Sequence, residues 1–291
     1  MQYPKISIVT PNYNGGQFLE ETILSVIGQN YPNLEYIIID GGSTDNSVEI
    51  IKKYEKHLAY WVSEKDKGQS DAINKGFDRS TGEIMAWLNS DDLYMPNTLK
   101  KVVDFIDINS KEIIFGNCIQ FSEDLEYIAG SNVRKKYNEF HLPFDTGYLI
   151  QPSTFWTRKL WKDMGNLDIT LNYTFDWLWF AKAIPQAKLK PIDIYCSMYR
   201  IHNNHKSSNG GIKRFNEIVE VLEKLGYEKY SRILQKSVPQ KDRIMYIKDV
   251  IKRLKLSKWE YPIMKTIFRQ YFSGLSLPEY KEMLTQIRVA L

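Results

Sequence analysis

Two cysteines in 291 residues leave no material for a disulfide framework. Neither Cys118 nor Cys196 stands in a C-x-x-C or Cys/His spacing, so a structural zinc site is not expected either. No run approaches the roughly 18 apolar residues that a spanning helix needs. The stretch Lys5-Ile6-Ser7-Ile8-Val9-Thr10 is too short for a signal segment and is shaped like a strand. These absences point to a reducing cytoplasm and a soluble chain, or one peripheral on the cytoplasmic face of a membrane. Two nucleotide signatures are also missing. The turn Thr10-Pro11-Asn12-Tyr13-Asn14-Gly15-Gly16 holds no G-x-G-x-x-G, which disfavours hydride transfer from NAD, and no G-x-x-x-x-G-K-[ST] exists for P-loop phosphoryl transfer.

A strong net charge is lacking as well: the balance is +4, but it is unevenly spread. Residues 1–211 carry 22 Lys+Arg against 26 Asp+Glu, whereas residues 212–291 carry 17 against 9. The basic excess belongs to the tail. There Lys248, Lys252, Arg253, Lys255 and Lys258 interleave with Ile244, Ile247, Val250, Ile251 and Leu254, an amphipathic basic helix. Residues 241–270 can therefore lie on anionic lipid, or pack inward with their charges in water. No nucleic-acid motif accompanies the charge, so nucleic acid is not an expected partner.

What is present from Lys5 to Leu88 is an alternation of β-branched runs with amphipathic stretches, the pattern of βαβ units around a mostly parallel sheet. Strands are expected at Ile6–Thr10, Glu35–Asp40, Tyr60–Ser63 and Ile84–Leu88, and helices at Phe18–Ile27, Ser47–Tyr54, Ser70–Phe77 and Asn97–Ile106. Thr44-Asp45-Asn46-Ser47 supplies cap chemistry for the second helix. The middle third predicts a strand pair, Ile113–Phe121 and Leu125–Ile128, short helices at Trp161–Met164 and Trp177–Ala183, and a returning strand Ile192–Tyr199. Ser207-Ser208-Asn209-Gly210-Gly211 marks a loop and boundary. Helical patterns then cover Val219–Leu225, Ile244–Leu256 and Ile263–Phe272, and no internal repeat is visible.

Two places carry chemistry. Asn89-Ser90-Asp91-Asp92 follows the apolar run Ile84–Leu88, which sets adjacent carboxylates at a strand's carboxyl end, where open α/β sheets bind ligands. A turn in which Asp92 caps the helix beginning near Met95 or Pro96 is the competing reading. Asp40 ends the second strand, a position at which an acid can hold a nucleoside.

The segments Thr10-Pro11-Asn12-Tyr13-Asn14, Ile39-Asp40-Gly41-Gly42-Ser43-Thr44-Asp45, Asp66-Lys67-Gly68-Gln69-Ser70-Asp71-Ala72-Ile73-Asn74-Lys75-Gly76 and Trp87-Leu88-Asn89-Ser90-Asp91-Asp92 resemble those of family 2 glycosyltransferases. The likeness continues through Gln151-Pro152-Ser153-Thr154-Phe155, Phe175-Asp176-Trp177-Leu178-Trp179 and Tyr199-Arg200-Ile201-His202, covering about residues 4–208. It implies a Rossmann-like nucleotide-diphospho-sugar transferase fold of the A type, mostly parallel at its centre, with a donor half at 1–92 and an acceptor half at 93–211; the basic helical extension expected at 212–291 lies outside the likeness. It implies further a nucleotide-sugar donor, usually UDP-linked, and transfer with inversion to a glycan or lipid-linked glycan in surface polysaccharide synthesis.

Residue by residue, the resemblance implies that Thr10, Pro11 and Tyr13 line the nucleoside site and that Asp40 accepts a hydrogen bond from the base ring N–H. Gly68, Asn74, Asn89 and Ser90 would complete the donor site. Asp91 would hold Mn²⁺ or Mg²⁺, with Asp92 beside it and His202 against metal or diphosphate. Asn89 departs from the usual acid of the motif, which puts direct ligation there in doubt. Asp176 would be the general base, an N-cap being the plainer alternative. Phe175 replaces a frequent Glu. Trp177 and Arg200 are acceptor-side candidates, although Arg200 is equally suited to the diphosphate or to a structural acid such as Asp193. Trp156, Trp161 and Trp179 read as core, and His205 as an ordinary surface residue. Two other accounts compete. A sugar nucleotidyltransferase needs a basic phosphate loop after the first strand, and Thr10–Phe18 has no Lys or Arg. A non-catalytic carbohydrate- or nucleotide-binding scaffold is harder to reconcile with Asp40, Asp91, Asp92 and Asp176 all intact.

Overall fold

A computed structural model describes residues 3–137, 146–202, 206 and 210–289. They divide into two compact units, one within Met1–Glu139 and Thr146–His205, the other within Lys206–Leu291.

The first unit is built on a nine-stranded sheet. Strands β1 (Ile6–Asn12), β2 (Leu34–Asp40), β3 (Tyr60–Ser63) and β4 (Ile84–Trp87) run parallel in the order β3-β2-β1-β4. Every residue of β1 and β4 is buried, as expected of apolar runs covered on both faces. The helices between them are α1 (Leu19–Ile27), α2 (Ser47–Tyr54) and α3 (Gln69–Arg79). In α1, Leu19, Ile23 and Val26 are buried on one stripe, while Glu20 and Glu21 occupy the first turn, where the helix dipole favours acids. Helix α3 presses so closely on β1 that a Cβ at Gly76 would lie 2.4 Å from a Val9 methyl.

Beyond β4 short antiparallel pairings join the parallel ones. The short strand β5 (Leu93–Tyr94) and helix α4 (Thr98–Val103) come next, followed by β6 (Glu112–Ser122), β7 (Tyr127–Gly130), α5 (Val133–Tyr137), β8 (Thr154–Thr157), α6 (Arg158–Met164), α7 (Phe175–Ala183) and β9 (Lys188–Ile201). Strand β8 lies antiparallel between β4 and β6, β9 runs parallel to β6, and β5 pairs antiparallel with β9. Under this half, Phe77, Trp87, Trp156, Trp161, Trp179 and Phe180 form one packed aromatic cluster with ring centroids 4.6–6.4 Å apart. The core role expected of Trp156, Trp161 and Trp179 is thus where their area goes. Cys118 and Cys196 are both buried and free, and burial pushes each thiol up to about 12.

The second unit is helical: α8 (Gly211–Lys224), α9 (Glu228–Ser237), α10 (Lys241–Arg253), α11 (Glu260–Ile267), α12 (Arg269–Phe272) and α13 (Leu277–Val289). Its interior holds Phe215, Leu222, Leu234, Ile244, Ile251, Met264, Phe272 and Tyr280. Ile244 and Ile251 thereby turn the apolar stripe of α10 inward, while Tyr246, Leu254, Leu256 and Trp259 stay exposed beside Lys252, Arg253, Lys255 and Lys258. No helix among the described residues is long and apolar enough to cross a membrane. Most of the loop expected at 207–211, and His205, lie outside the described residues.

Candidate active site

Strand β1 is flanked by β2 on one side and β4 on the other, so the chain winds in opposite directions from it. Such a switch point opens a crevice at the carboxyl ends of β1 and β4. Two turns meet there: Tyr13 to Gly16 after β1, and Asn89 to Asp92 after β4. Gly15 allows the approach, because a Cβ on it would lie 2.3 Å from Asn12 Oδ1 and 2.8 Å from Ser90 Oγ.

The acid turn is held from behind by β9. Leu93 is paired with Met198 in an antiparallel register, which carries Arg200 to the level of Asp91. The Arg200 backbone N–H donates to Asp92 Oδ1 (3.1 Å) and its Nε–H to the Asp91 carbonyl (3.0 Å). Its guanidinium lies between the rings of Phe18 and Phe121, 4.4 and 4.5 Å from their centroids, and Nη2 donates to Glu21 Oε2 (2.5 Å). Only 1% of the Arg200 side chain is exposed. This corrects the acceptor-side expectation: Arg200 is a buried clamp on the motif, and Asp193 bonds instead to Asn117.

Residues two apart on a strand share a face, so His202 follows Arg200 to the same turn. Its Nε2 stands 3.0 Å from Asp91 Oδ2, with the ring packed on Phe18 at 5.1 Å. Asp91 keeps 29% of its side chain exposed. Asp92 does not: it is 1% exposed, and its Oδ2 is buried without a hydrogen-bond partner. Burial, and then the adjacent Asp91 charge, push its carboxyl well above the usual carboxylate range. Asp92 is therefore turned away from any metal in the crevice, and β5 intervenes before α4, so it caps no helix either. Among the described residues no group of three or more His, Cys, Asp or Glu side chains converges. The side chains that meet at this turn are Asp91 and His202.

Asn89 is occupied by protein partners. Its Oδ1 accepts from Gln69 Nε2 (2.8 Å) and its Nδ2 donates to Gln151 Oε1 (3.4 Å), while Gln151 Nε2 donates to the Trp87 carbonyl. Ser90 is half-buried, facing Gly15. Asp176 opens α7 half-buried, with Oδ1 accepting from the Trp177 N–H, and Trp177 is half-buried beside it. Burial pushes the Tyr199 phenol up, and the negative charges of Asp92, Asp91 and Asp176 add to it. Phe175, in the place of an expected acid, is buried against Trp87.

On the nucleoside side, Asp40 is sealed. It has no exposed surface, and its oxygens accept from Asn12 Nδ2 and Ser43 Oγ at one end and from the N–H groups of Gly42 and Ser43 and the Ser63 hydroxyl at the other. Burial pushes this carboxyl up, but the bonds from Ser43, Ser63 and Asn12 outweigh it and hold Asp40 below the usual range. Its work is to staple the loops after β1 and β2, helped by Asn14 Oδ1 accepting from the Thr44 N–H and by Asp45, which bonds the N–H groups of Gly16 and Ser47. Base recognition by Asp40 is thereby corrected. Thr10 is likewise buried with its hydroxyl against Tyr36, Pro11 is buried, and Asn74 is closed in a two-way bond to the Leu167 backbone. Thr10 and Asn74 leave the donor-contact set. Tyr13, 66% exposed, and Gly68, whose φ of 115° opens α3, remain facing solvent at the crevice rim. Glu21, Gln69 and Gln151 hold the motif without having been expected from the sequence.

A family model described as "Glycosyl transferase family 2" matches residues 7–164. Among curated proteins, an uncharacterized glycosyltransferase of Rickettsia conorii is 32% identical over 227 residues, 75% of this chain and 37% of its own. A putative teichuronic acid biosynthesis glycosyltransferase of Bacillus subtilis, TuaG, is 37% identical over 108 residues, 35% of this chain and 42% of its own. The matched region thus spans well under two thirds of these relatives. Among solved structures, S. aureus TarS in complex with UDP-GlcNAc superposes with a TM-score of 0.62 at 17% identity, over 78% of this chain and 70% of that one. The mannosyltransferase PcManGT of Pyrobaculum calidifontis, in complex with GDP-Man and Mn²⁺, superposes with a TM-score of 0.60 at 17% identity, over 99% and 81%.

Proposed function

This chain belongs to glycosyl transferase family 2 and has the A-type glycosyltransferase fold of those solved structures, and from that premise we propose that it transfers a sugar from a nucleoside diphosphate to a hydroxyl of a glycan or lipid-linked glycan. The observation that carries the reading is the pairing of Asp91 with His202 at the switch point, 3.0 Å apart.

Asp91 and His202, 3.0 Å apart, would hold a divalent cation such as Mn²⁺ or Mg²⁺, which would offset the charge that develops on the departing diphosphate. The chain's own residues do the rest. Asp91 and His202 fix the diphosphate end, and Arg200 fixes Asp91 through its carbonyl. Asp176 takes the proton of the acceptor hydroxyl as that oxygen bonds to the anomeric carbon and the carbon–phosphate oxygen bond breaks. One displacement, with the base on the face opposite the leaving group, inverts the configuration. Trp177 offers the acceptor a ring face.

The donors named in the neighbours' structures carry either uracil or guanine, and the name of TuaG supports a surface polymer as the destination. The exposed Leu254, Leu256 and Trp259 among Lys252, Arg253, Lys255 and Lys258 would hold the helical unit against an anionic cytoplasmic leaflet, where a lipid-linked acceptor resides. The test is a pair of variants assayed with nucleotide sugars and Mn²⁺. Asp91→Ala should lose metal-dependent donor binding, and Asp176→Ala should bind donor normally and lose transfer. Transfer at the normal rate by Asp176→Ala refutes the base.

A further inference from the structure

We infer that Asp66, rather than any acid of β2, reads the base of the donor, and that the base is uracil, its ring N3–H donating to Asp66 Oδ2. The inference rests on the donor reading above and deepens it.

The backbone at Gly41 does not require a glycine. Gly42 has a φ of 80°, a conformation that excludes most side chains, but Gly41 is not in the left-handed region. What Gly41 provides is space. A Cβ there would stand 2.6 Å from Asp66 Oδ2 and 3.1 Å from its Cγ, so the volume beside the end of β2 is filled by a carboxylate arriving from the loop after β3. That carboxylate is half-exposed, whereas Asp40, one residue before Gly41, is sealed and meets five donors.

The two oxygens of Asp66 differ. Oδ1 accepts from the Gly68 N–H at 2.8 Å, closing the turn that opens α3. Oδ2 receives no hydrogen bond from the described residues and lies against Gly41, the residue that follows β2. Burial raises the Asp66 carboxyl, and Asp71 and Asp40 add to it, against the Gly68 bond and Lys75. A ligand N–H is the kind of partner this oxygen lacks.

Position agrees. In the order β3-β2-β1-β4, the Asp66 loop and the Asp91 turn lie on opposite sides of β1. Adjacent strands are about 4.8 Å apart, so the ends of β2 and β4 are separated by about 10 Å, a span that a nucleoside bridges between its base and its phosphates. Exposed Tyr13, on the loop after β1 between them, supplies a ring face for the base. One free acceptor oxygen selects among bases. Uracil presents a single ring N–H flanked by carbonyls; cytosine presents a lone pair at the same atom, which a carboxylate repels. Guanine asks for both oxygens, and Gly68 already holds one.

The experiment measures Mn²⁺-dependent binding of UDP, CDP, GDP and N3-methyl-UDP to the full chain. The wild type should prefer UDP to the other three by roughly tenfold or more, the worth of a hydrogen bond to a charged group. Asp66→Asn keeps an oxygen for the Gly68 N–H but offers an amide N–H where Oδ2 stood. It should therefore lose roughly ten- to a hundredfold in UDP affinity and move its preference towards CDP. Gly41→Ala, which crowds Asp66, should weaken UDP binding with the unfolding transition unchanged. A wild type that binds N3-methyl-UDP as well as UDP, a preference for GDP, or an Asp66→Asn protein with an unaltered UDP-to-CDP ratio overturns the inference and leaves the donor reading standing. A wild type that binds no nucleotide overturns both.

Discussion

Replacing Arg200 tests whether the acid motif is held from behind, and the structure supplies the magnitudes. Arg200→Met removes the Nε–H bond to the Asp91 carbonyl, a charged donor whose loss costs about 1.5–3 kcal/mol. It removes the ion pair with Glu21, but that carboxylate is 50% exposed, so screening leaves this loss at about 0.5 kcal/mol. The two ring contacts at 4.4 and 4.5 Å are partly regained, since a thioether also packs well between aromatic faces. The backbone bond to Asp92 is untouched. The net expectation is a destabilisation of about 2–4 kcal/mol confined to the sheet unit. Six of the seven tryptophans (61, 87, 156, 161, 177 and 179) lie in that unit, so urea titration followed by tryptophan fluorescence reads its transition. Arg200→Lys should not recover the loss. A single ammonium cannot serve both the Asp91 carbonyl and Glu21, and it leaves a strongly hydrated charge between two rings. Both variants should also bind Mn²⁺-dependent nucleotide more weakly. Wild-type stability in Arg200→Met, or full rescue by lysine, refutes the clamp.

Asp40→Asn should unfold at lower denaturant, by about 3 kcal/mol, because the new amide N–H groups face the donors of Gly42, Ser43 and Ser63. The pH dependence has a definite sign. Asp40 has a folded-state pKa below its unfolded value, so its contribution is present above the unfolded value near 4 and is lost as the pH falls through the folded one. The variant should lack this part of the acid-side decline, which stability curves between pH 7 and pH 3 would show. Asn74→Ala should cost about 2–4 kcal/mol by orphaning the Leu167 N–H and carbonyl, with nucleotide affinity unchanged. A large loss of affinity at unaltered stability would return Asn74 to the donor site.

The elements that sequence periodicity made visible are those that bury a continuous apolar run. Strands β1 to β4 and helices α1 to α3 fall within a few residues of expectation because the strands are near-continuous apolar or β-branched runs and the helices carry an apolar residue at every third to fourth position. Strand β8, only four residues long, was not expected, and β5 consists of two residues fixed by pairing with β9, a contact more than a hundred positions away along the chain. Nothing local encodes either.

The same limit governs the site. That Asn12, Asp40, Ser63 and Asp91 stand at strand ends is a consequence of pattern, and the switch point then gathers those ends. Which way each side chain points is decided one residue at a time: Asp40 turns inward as the loop staple, and the next position, Gly41, makes room for Asp66 instead. Asp91 and Asp92 part in the same manner, one towards His202 and the other beneath the Arg200 backbone. A motif read as a string treats both acids alike. Their separation follows from the register Leu93 to Met198, which places Arg200 and His202 side by side against the turn. Moving that register by one residue would turn both side chains to the opposite face and leave Asp91 without its partner. The pairing of β5 with β9 is therefore as much a part of the proposed metal-binding site as the carboxylate itself, although neither strand carries a ligand that the sequence could announce.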